Sequence, residues 1–274
     1  PSFYPRRDLS APNYQTKKTY DLIEKDEWGK DLVEYLSKSM RPLVSSFFFP
    51  AFAAETFGYK GDIYCIVCDA DISRNWAPLN PQKSRIKYLV PCARAYERLK
   101  LYGVKEENIF LTGFPLPKEN IGGRSFGILR KDIGHRIHNL DPERVYRRKY
   151  APTLRHYLGS LNFPRRSNHP LTLSFAVGGA GAQREIAADV FKSLRKRVAA
   201  GELRFRFVAG NRPEVSSYFK NEVAKWGLKK EIGRNIEILY ARERREYFQM
   251  FNESLRTTDI LWTKPSELSF YAGL

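Results

Sequence analysis

The 274-residue sequence predicts an α/β protein of two Rossmann-like domains, each built on a parallel sheet. Three observations carry this expectation. Short apolar runs alternate with segments of helical spacing, which implies parallel strands joined by right-handed crossovers. The alternation comes as two series with a break between them, dividing the chain into residues 1–117 and 118–274. Apolar residues make up 42% of the chain, with 18 Phe and 16 Tyr, which is enough for real cores and argues against global disorder.

The first series opens on residues 20–39, where Leu22, Ile23, Trp28, Leu32, Val33 and Leu36 fall at helical spacing. Residues 43–47 read as a short strand, and Pro50 suits the first turn of the helix that follows. Residues 63–68 are continuously apolar, as a strand in a parallel sheet covered by helices should be. Residues 86–90 and 108–111 are further strands. Between them a helix over 93–102 is stopped by Gly103. Residues 112–117 (TGFPLP) break the pattern.

Basic helical stretches follow at 124–137 and 143–160, then a polar linker over 164–170. The second series reads strand 171–177, helix 185–200, strand 203–209, helix 215–226, strand 236–239, helix 244–255 and strand 260–262. A last helix starts near Ser266.

No apolar stretch reaches the roughly 20 residues of a bilayer-spanning helix. The best, 42–54 (PLVSSFFFPAFAA), is too short. No signal-peptide pattern is visible, and the chain opens on Pro1 rather than Met. The three cysteines, Cys65, Cys68 and Cys92, point to a reducing, cytoplasmic setting rather than a disulfide framework. Cys65 and Cys68 are three apart on a predicted strand, so they face opposite ways and share no metal ion. The net charge of +17 is concentrated: residues 123–169 hold 11 Lys+Arg against 3 Asp+Glu, and all four His. Such a block favours anionic partners, either phosphates, acidic lipid headgroups or nucleic acid, or else forms a solvated basic surface.

The sharpest chemical feature is strand 171–177 running into Gly178-Gly179-Ala180-Gly181-Ala182-Gln183 and then a helix. Small residues let the backbone approach a phosphate, and the free N–H groups of a helix start stabilise its charge. The run departs from the dinucleotide fingerprint. Arg184 stands where the third Gly belongs, and the second strand leads into Gly210-Asn211-Arg212 with no acidic residue, so NAD is not the expected ligand. Strand 63–68 ends in Asp69-Ala70-Asp71, followed by the polar and aromatic loop Ser73-Arg74-Asn75-Trp76. The last strand leads into Lys264-Pro265-Ser266-Glu267, with Ser266 as a candidate N-cap and Glu267 in the first turn.

Taken in order, these residues resemble the family 28 glycosyltransferases of the GT-B fold. That family includes the N-acetylglucosaminyltransferase that forms lipid II and monogalactosyldiacylglycerol synthase. The matching marks are IYCIVCDADISRNW, Gly103-Val104 with Ile109, the break Gly113-Phe114-Pro115, VGGAGAQ, VAGNR, and TKPSE leading to Gly273. The resemblance implies an inverting transfer of a hexose or N-acetylhexosamine from a UDP-sugar to an acceptor hydroxyl, with no cofactor and no bound metal.

By the same resemblance, residues 178–183 lie by the donor diphosphate and sugar, and Gly210, Asn211, Arg212, Ser266 and Glu267 by the nucleoside. Arg74 and Trp76 fall on the acceptor side, and Asp69 and Asp71 are the nearest candidates for a general base. A lipid-linked acceptor implies a cytoplasmic enzyme that meets the inner face of a membrane, with 123–169 as the expected contact.

The sequence also departs from the family. Nothing in residues 1–40 matches its opening Gly-rich, His-containing loop. Pro117 stands where Arg is usual, Glu267 precedes Gly273 by six residues rather than five, and the linking segment is long. Both domains are therefore expected to be incomplete, the first lacking its opening strands and the second its last elements. Three other readings fit the same residues. One is metal-dependent transfer through Asp69-Ala70-Asp71. Another is a non-catalytic nucleotide-sugar-binding protein. The third is a nucleic-acid-binding protein using Tyr146, Tyr150 and Tyr157 among the basic residues, although no nucleic-acid motif accompanies them.

Overall fold

The computed structural model describes residues 9–159, 164–177, 183–264 and 267–274. Its contacts divide the chain between Pro115 and Leu116 into two compact units, with Glu267 grouped with the first.

The N-terminal unit contains α1 (Tyr14–Glu24), α2 (Lys30–Ser37), β1 (Leu43–Ser45), α3 (Phe48–Thr56), β2 (Ile63–Ile66), β3 (Lys87–Val90), α4 (Ala93–Leu101) and β4 (Ile109–Leu111). The four strands lie side by side in chain order, every neighbour parallel. Asn13 starts α1 by accepting the Thr16 N–H at 2.8 Å. The single helix expected over 20–39 is two helices. Glu27 and Gly29 both take the left-handed conformation between them. A Cβ on Gly29 would stand 2.9 Å from that of Ala53, so glycine lets the chain turn tightly against α3.

One face of this sheet is well covered. Ile63, Cys65, Val67, Tyr88, Val90 and Ile109 pack in one core with residues of α1, α3 and α4. The opposite face differs from the expectation for 63–68. Register places Val44, Tyr64 and Lys87 in one row, and Ile66, Leu89 and Phe110 in the next. Tyr64, Ile66 and Leu89 are only half-buried, while Val44 is 56% and Phe110 43% exposed.

The C-terminal unit begins with α5 (Lys118–Ile121), α6 (Gly127–Leu140), α7 (Val145–Lys149) and α8 (Ala151–Leu158). It continues with β5 (Thr172–Ala176), α9 (Arg184–Ala199), β6 (Arg204–Gly210), α10 (Pro213–Lys225), β7 (Ile236–Tyr240), α11 (Arg244–Leu255), β8 (Ile260–Thr263) and α12 (Leu268–Tyr271). The strand order is β7-β6-β5-β8, all parallel. Leu173, Phe175, Phe205, Phe207 and Ile236 share one core with α9 and α10. Phe207 lies between the rings of Phe205 and Phe219, with centroids 4.6 and 4.4 Å away. Each such buried ring contributes on the order of 2–3 kcal/mol. The other face meets Phe251 and Leu255 of α11. Helices on both faces of a parallel sheet are the doubly wound arrangement.

That second face turns polar toward the strand starts. Arg206 on β6 is 2% exposed. It pairs with Glu237 at 2.6 Å and donates to the Ser254 carbonyl, Thr258 Oγ1 and Thr257 Oγ1 at 2.7–3.0 Å. Below it the Asp259 carboxylate accepts from the Thr172 backbone N–H at 2.7 Å and from Asn139 of α6 at 3.0 Å, and lies 3.2 Å from His169 Nε2. Arg136 donates to the Thr258 and Leu274 carbonyls, and Asp132 pairs with Arg256 at 2.9 Å. The linker expected to be merely polar is tied down as well, because the Asn168 N–H donates to His135 Nδ1 at 3.2 Å. Part of the basic segment is thus internal framework. No described helix is long and apolar enough to cross a membrane.

Two predictions follow from this polar layer. Arg206→Met strips a buried partner from Glu237 and from three side-chain or backbone oxygens. It should lower unfolding free energy by about 3 kcal/mol, and Arg206→Lys should not restore it, since one ammonium cannot serve that fan of acceptors. Urea denaturation measures this, and a loss under about 1 kcal/mol contradicts it.

The second concerns pH. Burial, reinforced by His169, holds the His135 imidazole below its ordinary pKa. The unfolded chain therefore takes up that proton more readily, so stability should fall as pH drops below about 6.5 and be unaffected above. His135→Asn, whose amide oxygen can still accept the Asn168 N–H, should flatten this slope in thermal melts between pH 7.5 and 5.

Candidate functional site

The strand order of the C-terminal sheet reverses at β5. From β5 the chain passes through α9 to β6 and on to β7, whereas β8 returns to the other side of β5. In open parallel sheets, the crevice at the carboxyl ends of strands flanking such a reversal is where ligands are held. Ala176 is in register with Thr263, and Val208 with Ala176 on the other side, so β8, β5 and β6 end side by side. The three stretches singled out in this half of the sequence begin at these three ends: 177–183 after β5, Gly210 to Arg212 after β6, and 264–267 after β8. Gly178, Gly179, Ala180, Gly181, Ala182 and Ser266 lie outside the described residues.

Gln183 holds a left-handed backbone (φ 68°), and its carbonyl accepts from Ile186 and Ala187 as α9 begins. This helix is 16 residues long, so its first turn carries a full set of aligned peptide dipoles. Arg184, its first residue, stacks over the Tyr218 ring at 4.9 Å and pairs with Glu185 at 3.0 Å. Gly210 has φ 70°, and a Cβ there would meet nothing within 4 Å. Asn211 is exposed, and Arg212 precedes α10, with its guanidinium 3.4 Å from Glu214. Thr263 ends β8 with a buried hydroxyl that has no partner among the described residues.

The sequence names Arg184 only as a departure from the dinucleotide fingerprint and Thr263 only as the first residue of the TKPSE turn. The legible signals were a cation directly after a Gly-rich run and a hydroxyl ending a strand. Together, the carboxyl edge offers helix starts, guanidinium groups and open backbone, a set suited to an anion with hydroxyl-bearing substituents.

The candidates of the N-terminal unit follow β2, and the structure gives them distinct surroundings. Asp71 is bridged by two arginines of α4, Arg94 at 2.7 Å and Arg98 at 3.0 Å, and accepts the Ile72 N–H. The bond to Arg94, followed by that to Arg98, holds its carboxyl below the usual carboxylate range. Asp69 is half-buried.

Arg74 and Trp76, expected toward an acceptor, are both buried. The Arg74 guanidinium donates to the carbonyls of Ser10, Ala77 and Pro78 at 2.6–3.0 Å. Burial lowers its pKa. Trp76 meets Phe47 and Phe48 edge-on at 6.0 and 5.4 Å. These contacts fasten the loop after β2 to the core. Cys65 is buried in the same core, which pushes its thiol pKa up. No group of three or more His, Cys, Asp or Glu able to hold a metal ion occurs among the described residues.

No protein-family model matches the chain, and no curated protein matches it in sequence. Solved structures similar to it include an S. aureus MnaA–UDP complex, at 14% identity over 94% of this chain and 58% of that one (TM-score 0.47). Another is the UDP-GlcNAc 2-epimerase of Methanocaldococcus jannaschii, at 13% over 93% and 63% (TM-score 0.45). A third is Anabaena HepE in complex with UDP and glucose, at 10% over 88% and 57% (TM-score 0.45). The chain spans about three fifths of the length of each.

The Asp71 geometry makes a prediction. Asp71→Asn should cost at most about 1 kcal/mol at neutral pH, because its partners are solvent-screened. The difference from wild type should persist above the ordinary Asp pKa of about 3.9 and vanish as acid protonates the wild-type carboxyl. Chemical denaturation at pH 7 and at pH 3 reads both halves. A difference that grows in acid runs against the assignment.

Proposed function

We propose that this chain takes a UDP-sugar at the carboxyl edge of its C-terminal sheet and transfers the hexose or N-acetylhexosamine to an acceptor hydroxyl, with inversion. The observation that carries the proposal is the reversal of strand order at β5. The Gly-rich run, the Gly210-Asn211-Arg212 turn and the segment leaving β8 start from three adjacent strand ends there. The order of sequence marks shared with the family 28 glycosyltransferases supports the same reading, and the proposal extends that family's fold name, GT-B, to this chain.

In this reading the diphosphate lies against the backbone of 178–183 and the start of α9. Amide N–H groups and the helix dipole offset the charge that grows on the leaving UDP, so no bound metal is required. Arg184 and Arg212 add positive charge nearby. Ser266 and Glu267 are the residues proposed for ribose or sugar hydroxyls. The acceptor hydroxyl attacks the anomeric carbon from the side opposite the diphosphate and gives its proton to a base. Asp69 and Asp71 are the candidates for that base, and two guanidinium groups bridge the Asp71 carboxylate. The proposed setting is reducing and cytoplasmic, in keeping with the free thiols of Cys65, Cys68 and Cys92.

Isothermal titration with UDP and UDP-N-acetylglucosamine in the presence of EDTA tests the proposal. Binding is expected without metal, and Gly179→Val should weaken it at least tenfold, about 1.4 kcal/mol. Absence of binding to any nucleoside diphosphate or UDP-sugar rejects the site. Binding that requires Mn²⁺ moves the chemistry to a metal-dependent transfer. Binding with neither donor hydrolysis nor transfer leaves a nucleotide-sugar-binding protein.

A further inference from the structure

Within the C-terminal unit, α5 and α11 border a cavity of about 430 Å³. Glu119 lines it from α5, and Arg245, Gln249, Asn252, Glu253 and Arg256 line it along α11 and its end. The α11 positions recur at helical spacing, so they share one side of the helix. Phe251 and Leu255 on the other side are buried in the core. None of these lining residues belongs to the stretches that leave β5, β6 and β8.

The walls are anchored. Asn120, 2% exposed, donates through Nδ2 to the Asn252 carbonyl at 2.8 Å and holds α5 against α11. Ile121 packs against the same core as Phe251 and Leu255. Arg256 is committed, since its Nε and Nη2 donate to the two Asp132 oxygens at 2.9 and 3.3 Å. The other charges are not. Arg245 and Glu119 are exposed, and their side chains make no hydrogen bond or ion pair among the described residues. Glu253 accepts from the Gln249 amide at 3.2 Å through one oxygen and leaves the other open.

This combination narrows the ligand. A phosphate would meet two carboxylates, which argues against a second nucleotide site, and a simple cation would meet Arg245. A molecule with a carboxylate for the Arg245 fork and an ammonium for the glutamates meets both conditions. Arg245 and Glu253 stand eight residues apart on α11, about 12 Å along its axis. The ligand's opposite charges are therefore several bonds apart rather than on one carbon. With Arg256 offset by Asp132, two negative charges face one positive charge, which suits a ligand with one cation in excess. We propose that the α5–α11 cavity binds a basic amino acid, its carboxylate on Arg245 and its side-chain cation between Glu119 and Glu253. The inference does not rest on the glycosyl-transfer reading and uses no residue of that site.

Heteronuclear NMR of the full chain, titrated with L-lysine, provides the test. Cadaverine lacks the carboxylate of lysine, and L-norleucine lacks its side-chain ammonium. Lysine should shift the amide signals of α5 and α11 and leave those of β5 and β6 in place. Loss of one charge-assisted contact weakens binding about tenfold or more. Cadaverine and norleucine should therefore bind at least about tenfold more weakly than lysine, and so should lysine to R245Q or E253Q. Wild-type signals elsewhere in each variant confirm that it folds. Three results overturn the proposal: no lysine-dependent shift in α5 and α11, cadaverine or norleucine bound as tightly as lysine, or wild-type affinity in either variant.

Discussion

The pairing of β5 with β6 on one side and β8 on the other is the constraint on which the rest of the C-terminal unit depends. A central parallel strand with buried faces leaves its neighbours no freedom of register, since a one-residue slip would exchange the two faces. On this strand Leu173 and Phe175 face the aromatic core of α9 and α10, while Thr172, Ser174 and Ala176 face α11. Fixing β5 therefore fixes which loops emerge together at its carboxyl end, and the candidate anion site is a consequence of pairing rather than of any one side chain.

The same strand divides the two faces by chemistry as well as position. One side is held by stacked phenylalanines, which are tolerant of small shifts. The other is held by directed bonds from Arg206, Asp259, Arg136 and Asn139, which are not. Buried polar groups of this kind contribute less to stability than to specificity of docking. They are costly to leave unpaired, so α6 and the 164–170 linker have one low-energy seat.

Much of the architecture was legible in the sequence because its period is strong. Apolar-rich runs of strand length such as 171–177 and 203–209 alternate with segments of helical spacing, and Gly103 marks the end of a helix with φ 84°. What was not legible has physical causes. The interruption of helix 20–39 depends on the approach of Gly29 to Ala53, a tertiary contact with no local signature. An apolar run does not report whether both of its faces find cover: 63–68 is apolar throughout yet half-covered on one face, whereas 172–176, with Thr172 and Ser174 on one face, is buried on both. Arg74 and Trp76 looked like surface recognition residues because loops often are; carbonyls of the same loop and of Ser10 enclose the guanidinium instead. Charge counts in 123–169 could not separate Arg136, spent inside the fold, from the exposed Arg144, Lys149 and Arg155. The Gly-rich run was found from composition and spacing alone, which name a turn and an anion but not its substituents.

The half-covered face of the N-terminal sheet, with Val44, Tyr64, Ile66, Leu89 and Phe110 in adjoining rows, bears on how the protein behaves as a colloid. Its net charge of +17 repels other copies over a Debye length that shrinks from about 30 Å in dilute buffer to about 8 Å at physiological ionic strength. Apolar attraction between exposed sheet faces has no such dependence. Added salt therefore removes the repulsion and leaves the attraction. On this balance, copies of this chain should stay dispersed in dilute buffer and come together as ionic strength rises, the reverse of a protein whose contacts are made by ion pairs.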